Sequence, residues 1–192
     1  MRNKVEEERV MRKLILILSV LLGLGTAYAQ TGGKTLVVYF SESGNTQGIA
    51  ERIHSLIDCD LVEIEMEEPY SDSYSTLPEQ AEQDLIANAR PALRTRISNM
   101  DEYSTVLLGY PNWYAILPMP VYTFLESYDF SGKRIIPFCS HGNGMTGETV
   151  SNICKTCPDA DVRRALSVTY SGGSSLESEI RAWLEEHGLI NN

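Results

Sequence analysis

Thr35–Leu36–Val37–Val38–Tyr39–Phe40 has the β-branched and aromatic content of a buried strand, and it runs straight into Ser41–Glu42–Ser43–Gly44–Asn45–Thr46. Ile49, Ile53, Leu56 and Ile57 then recur at helical spacing, which predicts a helix over about Thr46–Ile57. A strand ending in a loop of hydroxyls and glycine, followed at once by a helix, aims backbone N–H groups and a positive helix end at one spot. That suits a phosphate. No Lys or Arg lies between Phe40 and Glu51, so such an anion is held by hydroxyls, amides and the helix dipole. The plain alternative is a strand-to-helix turn with one cap, yet Ser41, Ser43, Gly44, Asn45 and Thr46 exceed what one cap uses.

The chain of 192 residues does not begin as fold material. Arg12 and Lys13 precede an apolar run from Leu14 to Leu24 and then Ala27–Tyr28–Ala29, the pattern of a secretory signal peptide cleaved after residue 29. Met11 is the better start, since Glu6–Glu7–Glu8 does not suit a basic leader. The run is shorter than the ~20 residues of a membrane span, so no stable insertion is expected after cleavage. An uncleaved anchor is the alternative. The expected location is outside the cytoplasm, in the periplasm, with residues 30–192 as the working domain.

That domain keeps 11 basic and 23 acidic residues, a net charge of −12, which argues against nucleic acid as a partner. It admits a basic protein partner steered by the field, though solubility explains the charge as well. Cys59, Cys139, Cys154 and Cys157 form an even set, which an exported chain could pair. Cys154–Lys155–Thr156–Cys157 has C-x-x-C spacing but falls at the end of a late helix, not in a first βα turn. Packed thiols, a structural bridge and a redox dithiol all stay open there.

Strand and helix patterns alternate without repeats or a long linker. Strand 2 is Asp60–Met66, whose alternation of Val62, Ile64 and Met66 with Glu63 and Glu65 marks an edge. A helix near Glu79–Asn88 follows a Tyr-rich connection. Strand 3 is Thr105–Tyr110, then come a helix at Pro120–Ser127, strand 4 at Arg134–Ser140, a helix at Thr146–Cys154, strand 5 at Asp161–Thr169 and a helix at Ser174–Glu186. Strands separated by helices imply parallel βαβ units in an α/β three-layer sandwich, a five-stranded parallel sheet of order 2-1-3-4-5. Ligands bind outside the carboxyl ends of such strands, beside strand 1, where loops 41–46, 111–117 and 141–147 meet.

In the second loop Pro111, Asn112, Trp113 and Tyr114 place two large aromatics after a buried strand, a stacking platform for a planar ring or a cover for the core edge. The third, Ser140–His141–Gly142–Asn143–Gly144–Met145–Thr146–Gly147, lets backbone groups approach the polar edge of a ring. Its G-x-G-x-x-G spelling is a coincidence, since it stands in the fourth βα unit and no acid ends the next strand. His141 is read as bonding the loop backbone rather than a cofactor; His54 and His187 carry no partner signal. No metal-ligand spacing and no Ser–His–Asp arrangement is readable, so no catalytic or metal residue is assigned.

The three loops resemble those of flavodoxins, and the resemblance covers about Lys34 to the C-terminus. The stretch from Gly109 to Tyr114, the segment LPMPVYTFLESYDFSGKRIIPF and Arg90–Pro91 resemble one bacterial flavodoxin-like branch. There the third loop usually reads Thr-His-Gly-Gly-Ser-Gly, where this chain has Ser-His-Gly-Asn-Gly, which loosens the match at Asn143 and Met145. Many members carry Thr at the places of Ser41 and Ser43, so the hydroxyls are kept. The long insertion that splits strand 5 in long-chain flavodoxins is absent, as in the short-chain kind. The resemblance implies FMN, with Ser41, Ser43, Gly44, Asn45 and Thr46 on the phosphate, and Pro111 and Asn112 in the ring loop with Trp113 and Tyr114 flanking the ring. Backbone groups of His141, Gly142 and Gly144 would meet its pyrimidine edge.

The expected function is a flavoprotein passing electrons to a redox protein partner, the protein tuning the potential of the flavin. Acidic surroundings disfavour added negative charge on the ring and lower that potential. The alternatives are an FMN-dependent NAD(P)H:quinone-type reductase and a flavin-free binding module.

Overall fold

The computed structural model describes residues 33–71, 73 and 76–191. The segment assigned to a signal peptide lies outside these. The elements are β1 (Lys34–Tyr39), α1 (Asn45–His54), β2 (Asp60–Glu63), α2 (Leu77–Ala87), β3 (Tyr103–Pro111), α3 (Met119–Glu126), β4 (Arg134–His141), α4 (Thr149–Thr156), β5 (Asp161–Val162), β6 (Leu166–Thr169) and α5 (Leu176–Glu186). The strand order is β2-β1-β3-β4-β5, with β6 also on β4, and every pairing is parallel. This is the flavodoxin-like α/β fold, with β5 and β6 together forming the fifth strand.

Burial on both faces explains the unbroken apolar runs. Leu36, Val38, Val106, Leu108 and Ile135 join Val121, Phe124, Leu125 and Ile153 of α3 and α4 in one layer. Val37, Leu107, Ile136 and Phe138 join Ile49 and Ile53 of α1 and Ile180, Trp183 and Leu184 of α5 in the other. Successive side chains of such a strand enter the two layers in turn, so its central run is apolar at every position rather than at every second one.

Two departures from the sequence expectation have physical causes. Strand 5 is not continuous over Asp161–Thr169. It pairs with β4 at Ile135↔Val162 and again at Phe138↔Leu166, so three residues on one side stand against two on the other. Ile135 takes the Arg163 amide on its carbonyl (2.9 Å), but Pro137, two residues on, has no N–H to give the same neighbour. The Arg164 carbonyl leaves the ladder and accepts the Trp183 indole N–H (3.1 Å) and the His187 ring (3.1 Å). Strand 2 is likewise shorter than Asp60–Met66. After Glu63 the chain is held from the outside by residues 92–95: Met66 bridges Leu93 antiparallel, and Thr95 Oγ1 takes the Glu65 amide (2.8 Å) while donating to the Glu63 carbonyl (2.7 Å). This covers part of what would be an open sheet edge.

Helix bounds shift too. α1 stops at His54, with the Ser55 hydroxyl donating to the Arg52 carbonyl (2.7 Å). α4 starts at Thr149 instead of Thr146, because Gly147 has φ +54° and cannot sit in a right-handed turn. All four cysteines are free, Cys154 exposed and Cys157 buried. Among the described residues no helix is long and apolar enough to cross a membrane.

Candidate functional site

The carboxyl ends of β1, β3 and β4 bring the three loops together. At the first, Gly44 takes the left-handed conformation (φ +78°) that turns the chain into α1, and a Cβ added there would meet nothing within 4 Å. Ser41 Oγ accepts the Gln47 amide (3.2 Å), closing the loop over the first helical turn. Asn45 Nδ2 donates to Ser43 Oγ (3.1 Å), and Ser43 and Gly44 are exposed. No acidic side chain stands in the first turn of α1, so none offsets the positive helix end from within the helix itself. Thr46 differs from the others: it is buried, and its hydroxyl is hydrogen-bonded to Ser140 Oγ (2.8 Å). That pair, 94 residues apart, ties the first loop to the root of the third.

The second and third loops are joined directly. The Asn112 amide donates to the Ser140 carbonyl (2.8 Å), and Asn112 Nδ2 donates to the Met145 carbonyl (2.8 Å) and more weakly to that of Gly144 (3.3 Å). The Glu148 amide donates to the Ala115 carbonyl (2.7 Å). Glycine is required here because a Cβ on Gly147 would stand 2.5 Å from that same carbonyl oxygen. The G-x-G-x-x-G spelling thus has a local cause in the approach of two loops, with no dinucleotide implied. Asn112 Oδ1 is buried without a hydrogen-bond partner, beside the glycine loop. It is an unused acceptor, and with the open Gly44 cradle it makes these residues fit a phosphorylated planar cofactor.

The two aromatics of the second loop are held in different ways. Trp113 meets Phe40 edge-on (centroids 5.6 Å apart) and Tyr70 tilted (5.9 Å), and is half-buried against the core. Tyr114 is half-exposed, and its hydroxyl donates to the Pro78 carbonyl at the start of α2 (2.9 Å). His141 holds Ser167 Oγ through Nε2 (2.8 Å) and, more weakly, the Gly142 carbonyl through Nδ1 (3.4 Å), so its ring serves the loop and the neighbouring strand. The carbonyl can only accept, so the neutral ring carries its proton on Nδ1 and accepts from Ser167.

Sequence reasoning missed three contributors. Ser140 partners Thr46. Tyr70, buried, donates to Asp84 (2.7 Å) and backs Trp113; burial and that carboxylate push its phenol strongly up. Tyr170, after β6, places its phenol along Gly142. Burial pushes the Cys139 thiol, one residue before Ser140, up to about 12, so it is no nucleophile at neutral pH. Among the described residues no cluster of three or more His, Cys, Asp or Glu is placed to hold a metal.

A family model described as flavodoxin matches residues 34–187. A crystal structure from Bacteroides eggerthii, assigned as a flavoprotein, superposes with a TM-score of 0.72 at 28% identity, over 83% of this chain and 100% of that one. One from Bacteroides uniformis gives 0.67 at 27%, over 79% and 99%. A Lactobacillus acidophilus flavoprotein in complex with FMN gives 0.61 at 22%, over 79% and 99%, a likeness of fold. No curated protein matches the sequence. The matched span runs from the start of β1 to the end of α5 and takes in all three loops, and the chain belongs to the flavodoxin family.

Proposed function

We propose that this protein binds FMN and carries electrons to a protein partner outside the cytoplasm. The observation that carries the reading is the cradle at Ser41–Asn45: the accessible hydroxyls of Ser41 and Ser43, an open glycine and a helix N-terminus with no acid in its first turn, one strand away from the Trp113 loop. Ser41, Ser43, Gly44 and Asn45 hold the phosphate. Thr46 contributes through its amide, since its hydroxyl already serves Ser140. Trp113 lies against the ring, Asn112 offers its carbonyl oxygen, and backbone groups of His141, Gly142 and Gly144 line the polar edge. FMN, once bound, supplies the electron chemistry; the chain supplies orientation, exclusion of water and an acidic field that lowers the potential. A net charge of −12 over residues 30–192 favours a partner with a basic docking surface. The Arg12–Ala29 segment supports export, and N-terminal sequencing of the mature protein from the periplasmic fraction should return Gln30.

A second reading has one observation in its favour. A groove of about 570 Å³, lined by Met66–Tyr70, Gln83, Asp84 and Ala89–Ala92, lies beside Tyr70, which touches Trp113. Its size is that of a small-molecule site, as a reductase acting on quinone-like acceptors needs. Steady-state NAD(P)H oxidation by the FMN-loaded protein separates the two. The carrier reading expects no turnover with a quinone unless a separate reductase is added; turnover by the protein alone would replace it with the reductase reading.

A further inference from the structure

Of the four cysteines, Cys154 and Cys157 stand one helical turn apart. Cys154 lies in the last turn of α4. Cys157 is the residue at which the chain leaves that helix, its amide still donating to the Ile153 carbonyl (2.8 Å). Side chains three apart on a helix share a side, with Cβ atoms about 5–6 Å apart, and a disulfide brings them to about 3.5–4.5 Å, so the pair closes with a shift of about 1–2 Å. Cys157 is where the chain can give. Its backbone (φ −123°, ψ 70°) is already outside the helical region, so the shift unwinds no further turn.

The two thiols differ in access. Cys154 is exposed, while Cys157 is buried and packs in the layer of α3 and α4. A cavity of about 110 Å³ opens on the Cys157 side, lined by Leu125, Tyr128, Phe130, Thr156 and Pro158. Burial, then Glu126 and Cys154 itself, push the Cys157 thiol up to about 11, so it keeps its proton at neutral pH and feels the neighbouring sulfur. The pair sits at the amino ends of the strands: the Asp159 carbonyl takes the Gly132 amide (2.9 Å) just before β4, and Asp161 pairs with Arg134. That is the far end of the sheet from the three loops, and the FMN reading gives these thiols no role.

We propose that Cys154 and Cys157 form a thiol–disulfide exchange site, which takes an external disulfide and closes as an intrachain bridge. Cys154, the accessible thiol, loses its proton and attacks one sulfur of the external disulfide; that S–S bond breaks, and the first leaving thiolate takes up a proton. Cys157 then gives up its proton and attacks the Cys154 sulfur of the mixed disulfide, and the second thiolate leaves and is protonated. Two cysteine thiols are oxidised, one external disulfide is reduced to two thiols, and two protons pass between them. A helix C-terminus and burial do not stabilise a thiolate, unlike the helix N-termini that hold oxidising dithiols in their reduced form, so the bridge is the resting state under oxidising conditions. The inference is independent of the FMN reading.

The test treats the reduced full chain with oxidised glutathione, blocks the remaining thiols with N-ethylmaleimide in denaturant, and maps the cysteine peptides by mass. In wild type the Cys154 and Cys157 peptides should leave the blocked pool together, as one bridged species, while the fully buried Cys139 stays blocked. Cys157→Ser should stop at a glutathione adduct on Cys154. In Cys154→Ser, a change at an exposed position, Cys157 should be modified at least about 10-fold more slowly than Cys154 is in wild type. Wild type in which both thiols stay free, or in which Cys154 halts at the adduct, would overturn the inference, and wild type alone decides this if Cys157→Ser misfolds. Equal rates in Cys154→Ser would overturn it too, since the buried thiol would then need no partner to react.

Discussion

Ser43 is the residue whose replacement speaks most directly to the phosphate cradle. It is exposed, and its hydroxyl accepts only from Asn45, so Ser43→Glu should leave the thermal midpoint unchanged while placing a like charge at the phosphate. Close juxtaposition of like charges costs several kcal/mol, so FMN affinity should fall on the order of 100-fold, read by titration. Thr46→Val tests a different bond. Thr46 and Ser140 are both buried, and the isosteric change leaves the Ser140 hydroxyl unpaired at a cost of about 1–3 kcal/mol, read by urea unfolding. At this scale the sequence was partly legible. The hydroxyls, the glycine and the aromatics could be read as types suited to a phosphate and a ring. That Thr46 turns inward to Ser140 could not, because only the strand order brings together two residues so far apart in sequence. Tyr170 escaped notice for a related reason: its special feature is a left-handed φ, and nothing in Val168–Thr169–Tyr170–Ser171 announces one.

Two glycines in different elements should respond to alanine with opposite signs. Gly109 lies inside β3, and a Cβ there would stand 2.2 Å from the Phe138 ring and 2.9 Å from Tyr39 Cβ. Gly109→Ala should therefore destabilise by about 1–3 kcal/mol, at the upper end of that range. Gly48 is exposed in the middle of α1, with nothing within 4 Å of the added atom. Gly48→Ala should stabilise by about 0.5–1 kcal/mol through helix propensity, and parallel urea melts check the pair. Element existence and order were readable because strand runs buried on two faces contrast with helix stripes at every turn. Element interruptions were not. Pro137 carried the signal for the break in the fifth strand, but its effect falls on the neighbouring strand, where a reading of one segment at a time does not look. α4 begins late for the same kind of reason: Gly147 is spent on the approach to Ala115, a contact with a different loop.

For the molecule as a whole, pH offers a test of how the C-terminal helix is seated. His187 ends α5 edge-on to Trp183 (centroids 5.6 Å apart), and its Nε2 donates to the Arg164 carbonyl. Burial holds its pKa below the ordinary 6.5 of histidine. The unfolded chain therefore takes up the proton first. Stability is complete above about pH 6.5 and is lost as pH falls through the lowered folded value. His187→Gln should flatten the stability profile between about pH 7 and 5, and unfolding midpoints across that range would show it. The central claim is the FMN site, and visible absorption of the chain lacking residues 1–29, after FMN addition and desalting, tests it most directly. Retained flavin bands at about one FMN per chain are the predicted result. A colourless protein would contradict the account and turn the fold to a flavin-free binding role.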